Sequence, residues 1–382
     1  MAKAGIPFRL FGMLLFAALL IGAERVEAMD LNISGYFRTL AMLAQAPDVA
    51  ESFVSANRLR LQLKGNLAPG VATDLQYDND YMFGSHLDTS PLLAGKDIPS
   101  SQYWNAQSTY VNTPQEFGAH RLYRASVTWS IQDIDIRLGR QRVAWGTGRF
   151  WSPLDLINPI NPTALDREER LGVDALLLDA KMGPLSRISA VHAPQQDARL
   201  NSSALQWHDN VRGVDYSLVA GRFWAEDVLG FDLATQLGQA GLRGEVTTQR
   251  TATGSSYSRA LAGIDYAFPN TLTFSVETYY NGNGSSDAVQ YRWGDYTTGR
   301  VVSLATRYWG AFMSYELTPL LKSLNYFVLN ADDNSRGVDL RLLWSVRPDT
   351  DLVFGGRNFW GAAGTEFRGR GNAVYIQAQV YF

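Results

Sequence analysis

Apolar and polar side chains alternate one for one along most of the chain beyond residue 30. In NRLRLQLKGNL, Leu59, Leu61 and Leu63 fall on one side, and Arg58, Arg60, Gln62 and Lys64 on the other. LYRASVTWSI sets Tyr123, Ala125, Val127, Trp129 and Ile131 against Arg124, Ser126, Thr128 and Ser130. TLTFSVETYYNG and GVDLRLLWSV repeat the pattern, with Leu272, Phe274 and Val276, then Val338, Leu340, Leu342 and Trp344, on the apolar side. Successive side chains of a strand point to opposite faces, so a period of two with one wet face predicts half-buried strands. The chain reads as all-β.

The connections decide between a soluble sandwich and a barrel. Short turns, NLAPG (Asn66 to Gly70), FPN (Phe268 to Asn270) and RPDT (Arg347 to Thr350), alternate with generally longer polar loops. Outer-membrane barrels have that asymmetry, with short periplasmic turns and longer outer loops. Counting back from the last segment predicts a transmembrane antiparallel β-barrel of about 18 strands. Sixteen is the alternative, because the strands between Gly183 and Gly241 are the hardest to delimit. In AVYIQAQVYF, Val374, Ile376, Ala378, Val380 and Phe382 share one face, as expected of a strand that closes a barrel. An ordinary edge strand is the alternative, but an exposed apolar edge invites aggregation and closure removes it. About eight strands already suffice to fill an interior with side chains, so a barrel of this size encloses water.

The first residues read as an export signal. Lys3 and Arg9 precede the apolar run Leu10 to Ala23, which is shorter than the ~20 residues of a spanning helix. Val26, Glu27 and Ala28 then match a signal-peptidase site. The expected division is therefore a signal peptide over 1–28 and an outer-membrane barrel over 29–382, placed in a Gram-negative outer membrane. The first strand, LNISGYFRTLAML, begins almost at the cleavage site, leaving no room for a plug ahead of it. A mean hydropathy of -0.15 is compatible with strands that are apolar only at every second residue. Net charge is -3, which argues against nucleic acid as a partner, and the absence of cysteine removes disulfides and thiol chemistry.

One segment breaks the alternation. WGTGRFWSPLDLINPINPTALDREER carries Pro153, Pro159 and Pro162 and a cluster of mixed charge. It follows DIRLGRQRVAWG, in which Ile134, Ile136 and Leu138 face lipid and Arg137 the lumen. The same parity would turn Arg140 and Arg142 outwards, so either the strand has reached the rim or a bulge at Gly139 re-aims it; the bulge is the expectation. Ser152-Pro153, with Asp155 in third position, and Asn161-Pro162 are helix-start signals. They predict two short helical turns, the second over Thr163 to Arg170 with an Asp166–Arg170 pair. A segment so stiffened suits a loop folded into the pore. Arg149, Asp155, Asp166, Arg167, Glu168, Glu169 and Arg170 would then form a charged constriction, facing a wall of Arg58, Arg60, Lys64, Arg124 and Arg137. An outer loop lying over the rim with its charges solvated is the alternative. A second insert, Phe83 to His120, would cap the mouth or pack into it.

The stretch RLGRQRVAWGTGRFWSPLDLINPINPTALDREERLGVDAL resembles the signature block of a proteobacterial family of porin-like outer-membrane barrels. AGLRGE, YAFPN and the terminal Phe382 extend the similarity over most of the chain, and alginate-export barrels are more distantly similar. The resemblance implies a barrel of this size in the outer membrane and implies no substrate. His86, His120, His192 and His208 are dispersed without metal-ligand spacing. There is no phosphate loop, nucleophile elbow or H-E-x-x-H, so neither an enzyme nor a cofactor is expected. The expected function is passive diffusion of small hydrophilic solutes. An exporter conduit, a sleeve for a periplasmic partner of a polysaccharide or cytochrome system, and a plugged structural or adhesive barrel are the alternatives. Partners would be outer-membrane lipid and lipopolysaccharide and the solutes themselves. Trimers being common among general porins, a homo-oligomer stays open, since no segment identifies an interface.

Overall fold

A computed structural model describes residues 29–45, 47, 51–85, 87, 102–165, 170–297 and 301–382. The expected signal peptide lies outside the described residues. Among the described residues nineteen strands form one antiparallel sheet. The first seven are β1 (Asp30–Gln45), β2 (Ser52–Ala68), β3 (Val71–Gly84), β4 (Gln107–Asn112), β5 (Glu116–Ile131), β6 (Ile134–Gln141) and β7 (Val173–Lys181). There follow β8 (Arg187–Ala193), β9 (Ser202–Val211), β10 (Val214–Phe223), β11 (Glu226–Leu237), β12 (Ala240–Arg250) and β13 (Ser256–Ala267). The last are β14 (Thr273–Asn281), β15 (Arg307–Thr318), β16 (Leu321–Asn330), β17 (Arg336–Arg347), β18 (Thr350–Trp360) and β19 (Asn372–Tyr381). Closure comes from β1, which pairs with β2 on one side and β19 on the other, Tyr36 lying opposite Tyr381. Eighteen strands form the wall, and β4 is an extra one.

The alternation maps onto lipid and lumen. Ile33, Leu61, Leu138, Leu229, Val246, Phe274, Leu340 and Ile376 are exposed on the outside. Their neighbours along each strand turn inwards and are buried polar groups at many places: Arg60, Asp78, Glu245, Glu277 and Asp339 among them. Among the described residues no helix is long and apolar enough to cross a membrane. Crossing falls to the strands, whose backbone groups pair with neighbours once the barrel closes.

Two register details correct the parity read from sequence. Strand β5 slips by one residue against β3 between the pairs Gln76–Arg124 and Tyr77–Leu122. The inserted residue, Tyr123, therefore leaves the apolar face and turns inwards, where the Arg60 guanidinium stands 3.7 Å from its ring centroid. The bulge expected at Gly139 is absent: β6 stays in register with β7 from Ile134 to Gln141, although Gly139 has a φ of 120°.

Arg140 has a different solution. The wall needs a substitute neighbour for β5 because β6 leaves it after only eight residues. The extra strand β4, from the second insert, takes that place and pairs Gln107 with Arg121 through to Asn112 with Phe117. Arg140 sits at the exchange point, 3 % exposed, and donates to the carbonyls of Leu122 (3.0 Å) and Trp104. Its Nε lies 3.0 Å from Asp174. The guanidinium thus satisfies backbone acceptors that the departing strand leaves behind, which a buried segment requires. Arg142, beyond the strand end, is exposed.

Candidate functional site

The segment 142–165 lies inside the barrel, held by groups that point inwards from the opposite wall. Glu245 on β12 accepts from the backbone N–H groups of Thr147 (2.5 Å), Gly148 (2.6 Å) and Leu154 (3.1 Å) and from the Ser152 hydroxyl (2.8 Å). Glu277 on β14 accepts from Arg149 N (2.6 Å) and Phe150 N (2.8 Å). Both carboxylates are buried, and burial of such a group is tolerable only when donors converge on it. Here the loop backbone supplies those donors, and hydrogen bonds to a charged acceptor are the stronger kind.

Apolar contacts extend the attachment. Trp151 stacks on Tyr279 at 5.6 Å between ring centroids and donates through Nε1 to Ser303 Oγ at 3.0 Å. Wall and loop are matched here: a side chain at Gly310 on β15 would meet the rings of Phe150 and Trp151 at 2.7 to 2.9 Å. Leu154 likewise occupies the space over Gly230 on β11. Trp145, Leu154 and Ile157 join Val173, Ala175, Val219, Phe223 and Val228 in one buried cluster, which explains why β7, β10 and β11 carry inward apolar residues at these positions. Beyond it, Arg357 donates to Thr163 O (2.6 Å) and Arg341 to Leu165 O (2.8 Å). The segment therefore crosses the lumen from β6 to β17 and β18.

No helix forms among the described residues of this loop. The two start signals give single turns instead: Asp155 N donates to Ser152 Oγ (3.1 Å), and Thr163 N to Asn161 Oδ1 (3.0 Å). The physical reason is competition. Pro153, Pro159 and Pro162 have no N–H to donate, and Glu245 and Glu277 capture the N–H groups of Thr147 to Phe150 and of Leu154. The Asp166–Arg170 pair and the residues Asp166, Arg167, Glu168 and Glu169 lie outside the described residues.

Of the remaining loop charges, Arg170 pairs with Asp155, which is 3 % exposed. Burial is the largest influence on the Asp155 carboxyl and pushes it up to about 7, against the opposing pull of Arg170 and Arg142. Arg149 points to water and pairs with Asp265 at 3.2 Å.

The five basic wall residues face β3 and β5 more than they face the loop. Arg60 binds Asp78 through two bonds (2.6 and 2.7 Å), Arg58 binds Asp80 (2.6 Å), and Lys64 lies 3.8 Å from Asp74. Arg124 is buried and donates to the carbonyls of Tyr123 (2.9 Å) and Arg170 (2.5 Å), while Arg137 donates to Thr128 Oγ1 (3.0 Å). The acidic partners Asp74, Asp78 and Asp80, and the further base Arg121, 2.6 Å from Asp80, were not singled out from sequence. Their signal was present: folding the chain at NLAPG sets Arg58 opposite Asp80, Arg60 opposite Asp78 and Lys64 opposite Asp74.

No protein-family model matches the chain, and no curated protein matches it. Solved structures do. The chain is similar to Pseudomonas aeruginosa OpdK, crystallised with vanillate, at a TM-score of 0.56 and 9% identity, covering 92% of this chain and 98% of that one. It is similar to Pseudomonas aeruginosa OccK5 (OpdH) at 0.55 and 10% identity, covering 92% and 97%. It is similar to Acinetobacter baumannii OccAB3 at 0.51 and 11% identity, covering 92% and 99%. What these likenesses show is the fold alone, the closed antiparallel barrel described above.

Proposed function

We propose that the protein is an outer-membrane channel for passive diffusion of small hydrophilic solutes, narrowed by its in-folded loop. The observation that carries this reading is the fastening of 147–154 to Glu245 and Glu277 across the lumen. A loop held there reduces the open section, and no chemical step or energy source is then needed for selection. Charge on the loop sorts what passes, as charged rings do in other channels. Arg149 and the sequence-assigned Asp166, Arg167, Glu168 and Glu169 are the charges assigned to selectivity. Asp155 and Arg170 pair with each other and act by holding the loop's shape. A conduit for an acidic polymer is less well supported, since Arg58, Arg60 and Lys64 already have carboxylate partners on β3.

The test is single-channel recording in planar bilayers. Stable conductance steps are expected, with an altered cation-to-anion preference when Asp166, Glu168 and Glu169 become Asn, Gln and Gln. Folded protein without conductance would refute the channel; unchanged selectivity in the triple variant would refute the assignment of those charges.

A further inference from the structure

Above the loop, at the end of the barrel that carries the long connections, lies a cavity of about 210 Å³. Leu156 and Ile160 of the loop and Val228 of β11 give it an apolar side. Glu226 on β11, Gln249 on β12 and Tyr257 and Arg259 on β13 give it a polar side. Tyr257 Oη donates to Glu226 Oε2 at 2.6 Å and accepts from an Arg259 Nη at 3.5 Å. The tyrosine hydroxyl thus stands between a carboxylate and a guanidinium that make no ion pair with each other. Arg292 and Asp295, at the same cavity, pair together at 3.5 Å.

Two buried polar atoms here have no protein partner. One is Oε1 of Gln249, a residue 1 % exposed that lies directly opposite Tyr257 in the sheet register. The other is Nε of Arg259. Both side chains line the cavity, and a ligand with a donor and an acceptor of its own, reached by a small turn of either side chain, would satisfy the two atoms. The donor belongs to a cation and the acceptor lines the same cavity as the Glu226 carboxylate, so the complementary molecule carries both charges. Its size is bounded too. An apolar cavity of ~150 Å³ takes a benzene ring, and this one is larger.

We propose that this cavity binds a small zwitterion of the α-amino-acid class with an apolar side chain. The carboxylate sits on Arg259, the ammonium on Glu226 and Gln249, and the side chain on Leu156, Ile160 and Val228. As the substrate class of the channel, the site rests on the reading given above; as a binding site it stands apart from it. A molecule with only one of the two charges leaves either Glu226 or Arg259 without a counter-charge, so both charges are needed for tight binding.

The test is ligand-observed NMR titration of the full chain in detergent with L-leucine as probe. 4-Methylpentanoate, which lacks the ammonium, and leucinol, which lacks the carboxylate, are the comparators. Leucine is expected to bind saturably and about tenfold or more tightly than either comparator, the loss of one charge-assisted bond. Arg259→Gln should abolish the advantage over leucinol alone, and Glu226→Gln the advantage over 4-methylpentanoate alone. Arg259→Lys, which keeps the charge, should retain the preference for a carboxylate, a result that misfolding would not give. Leucine no tighter than its analogues, or both advantages surviving in both variants, would overturn the site. Conductance in planar bilayers separates the two readings. Conductance without leucine-selective binding overturns the site and leaves the channel, whereas such binding without conductance overturns the channel and leaves the site.

Discussion

Glu245→Gln isolates the attachment of the loop without changing the volume of the wall. In the native protein Oε1 receives Thr147 N and Gly148 N, and Oε2 receives Ser152 Oγ and Leu154 N. A glutamine keeps one carbonyl oxygen, so the Thr147 and Gly148 bonds survive as neutral ones, each weaker by about 1 kcal/mol. Its amide nitrogen is a donor where Oε2 was an acceptor. Ser152 can turn its hydroxyl to accept, but the Leu154 N–H is left facing another donor, at roughly 1–3 kcal/mol. Relief of burying a charge offsets part of this, so docking should weaken by about 2–4 kcal/mol. Hydrogen exchange followed by mass spectrometry reads that directly: amides from Thr147 to Leu154 should lose roughly 30- to 700-fold protection, at a factor of ten per 1.4 kcal/mol. Strand amides of β1 and β19 should not change. Equal protection of the loop amides in the variant and native proteins would refute the anchoring argument.

Gly310→Val places side-chain atoms where Phe150 and Trp151 pack, and is expected to displace the loop and raise single-channel conductance while barrel formation persists. Arg60→Ala leaves Asp78, fully buried, with only the more distant Arg58 and Arg121 at 3.8 Å, and should destabilise the barrel by about 3 kcal/mol in denaturant titrations. The third prediction concerns pH. The Asp155 carboxyl is held up to about 7 in the folded protein, so between its unfolded value near 4 and that point the native state binds a proton that the unfolded segment does not. Stability of the docked loop is therefore fully present below the lower value and lost as pH rises through the upper one. Asp155→Asn should flatten this dependence in loop-amide exchange corrected for intrinsic rates.

The barrel was legible because its signal is local and repeated: every second residue of each strand reports the lipid. Val338, Leu340 and Leu342 mark a lipid face without knowledge of any partner strand. What escaped sequence reading depends on contacts between distant parts. Tyr123 changes face because β5 gains one residue against β3, and nothing in LYRASVTWSI marks the slip. The helix-start signals around Ser152 and Asn161 were real as turn formers. They did not become helices because acceptors 98 and 128 residues away, on Glu245 and Glu277, took the loop's N–H groups. Those two glutamates were readable only as inward polar positions in AGLRGE and SVETYY. The pairing of Arg58 and Arg60 with Asp80 and Asp78 was within reach, since one short turn fixes that register.

The same contacts bear on whether the proposed constriction moves. Releasing 147–154 exposes Phe150, Trp151 and Leu154, each buried in the docked loop. At about 1.5–3 kcal/mol each, these three side chains alone favour the docked state by roughly 4.5–9 kcal/mol. Ordering the segment opposes this by about 1–2 kcal/mol per residue, so the docked state also needs the bonds to Glu245 and Glu277. The prolines lessen that opposition by restricting the released segment. In the proposed channel, a loop held by both kinds of anchor would be a fixed aperture, not a gate. Recordings should therefore show long, uniform open levels, with no excursions to a larger conductance at low voltage. Glu245→Gln combined with Trp151→Ala, which removes one anchor of each kind, should introduce such excursions. Frequent spontaneous jumps to a wider level in the unmodified protein would mean that rings and carboxylates together do not hold the loop, and would refute the fixed aperture.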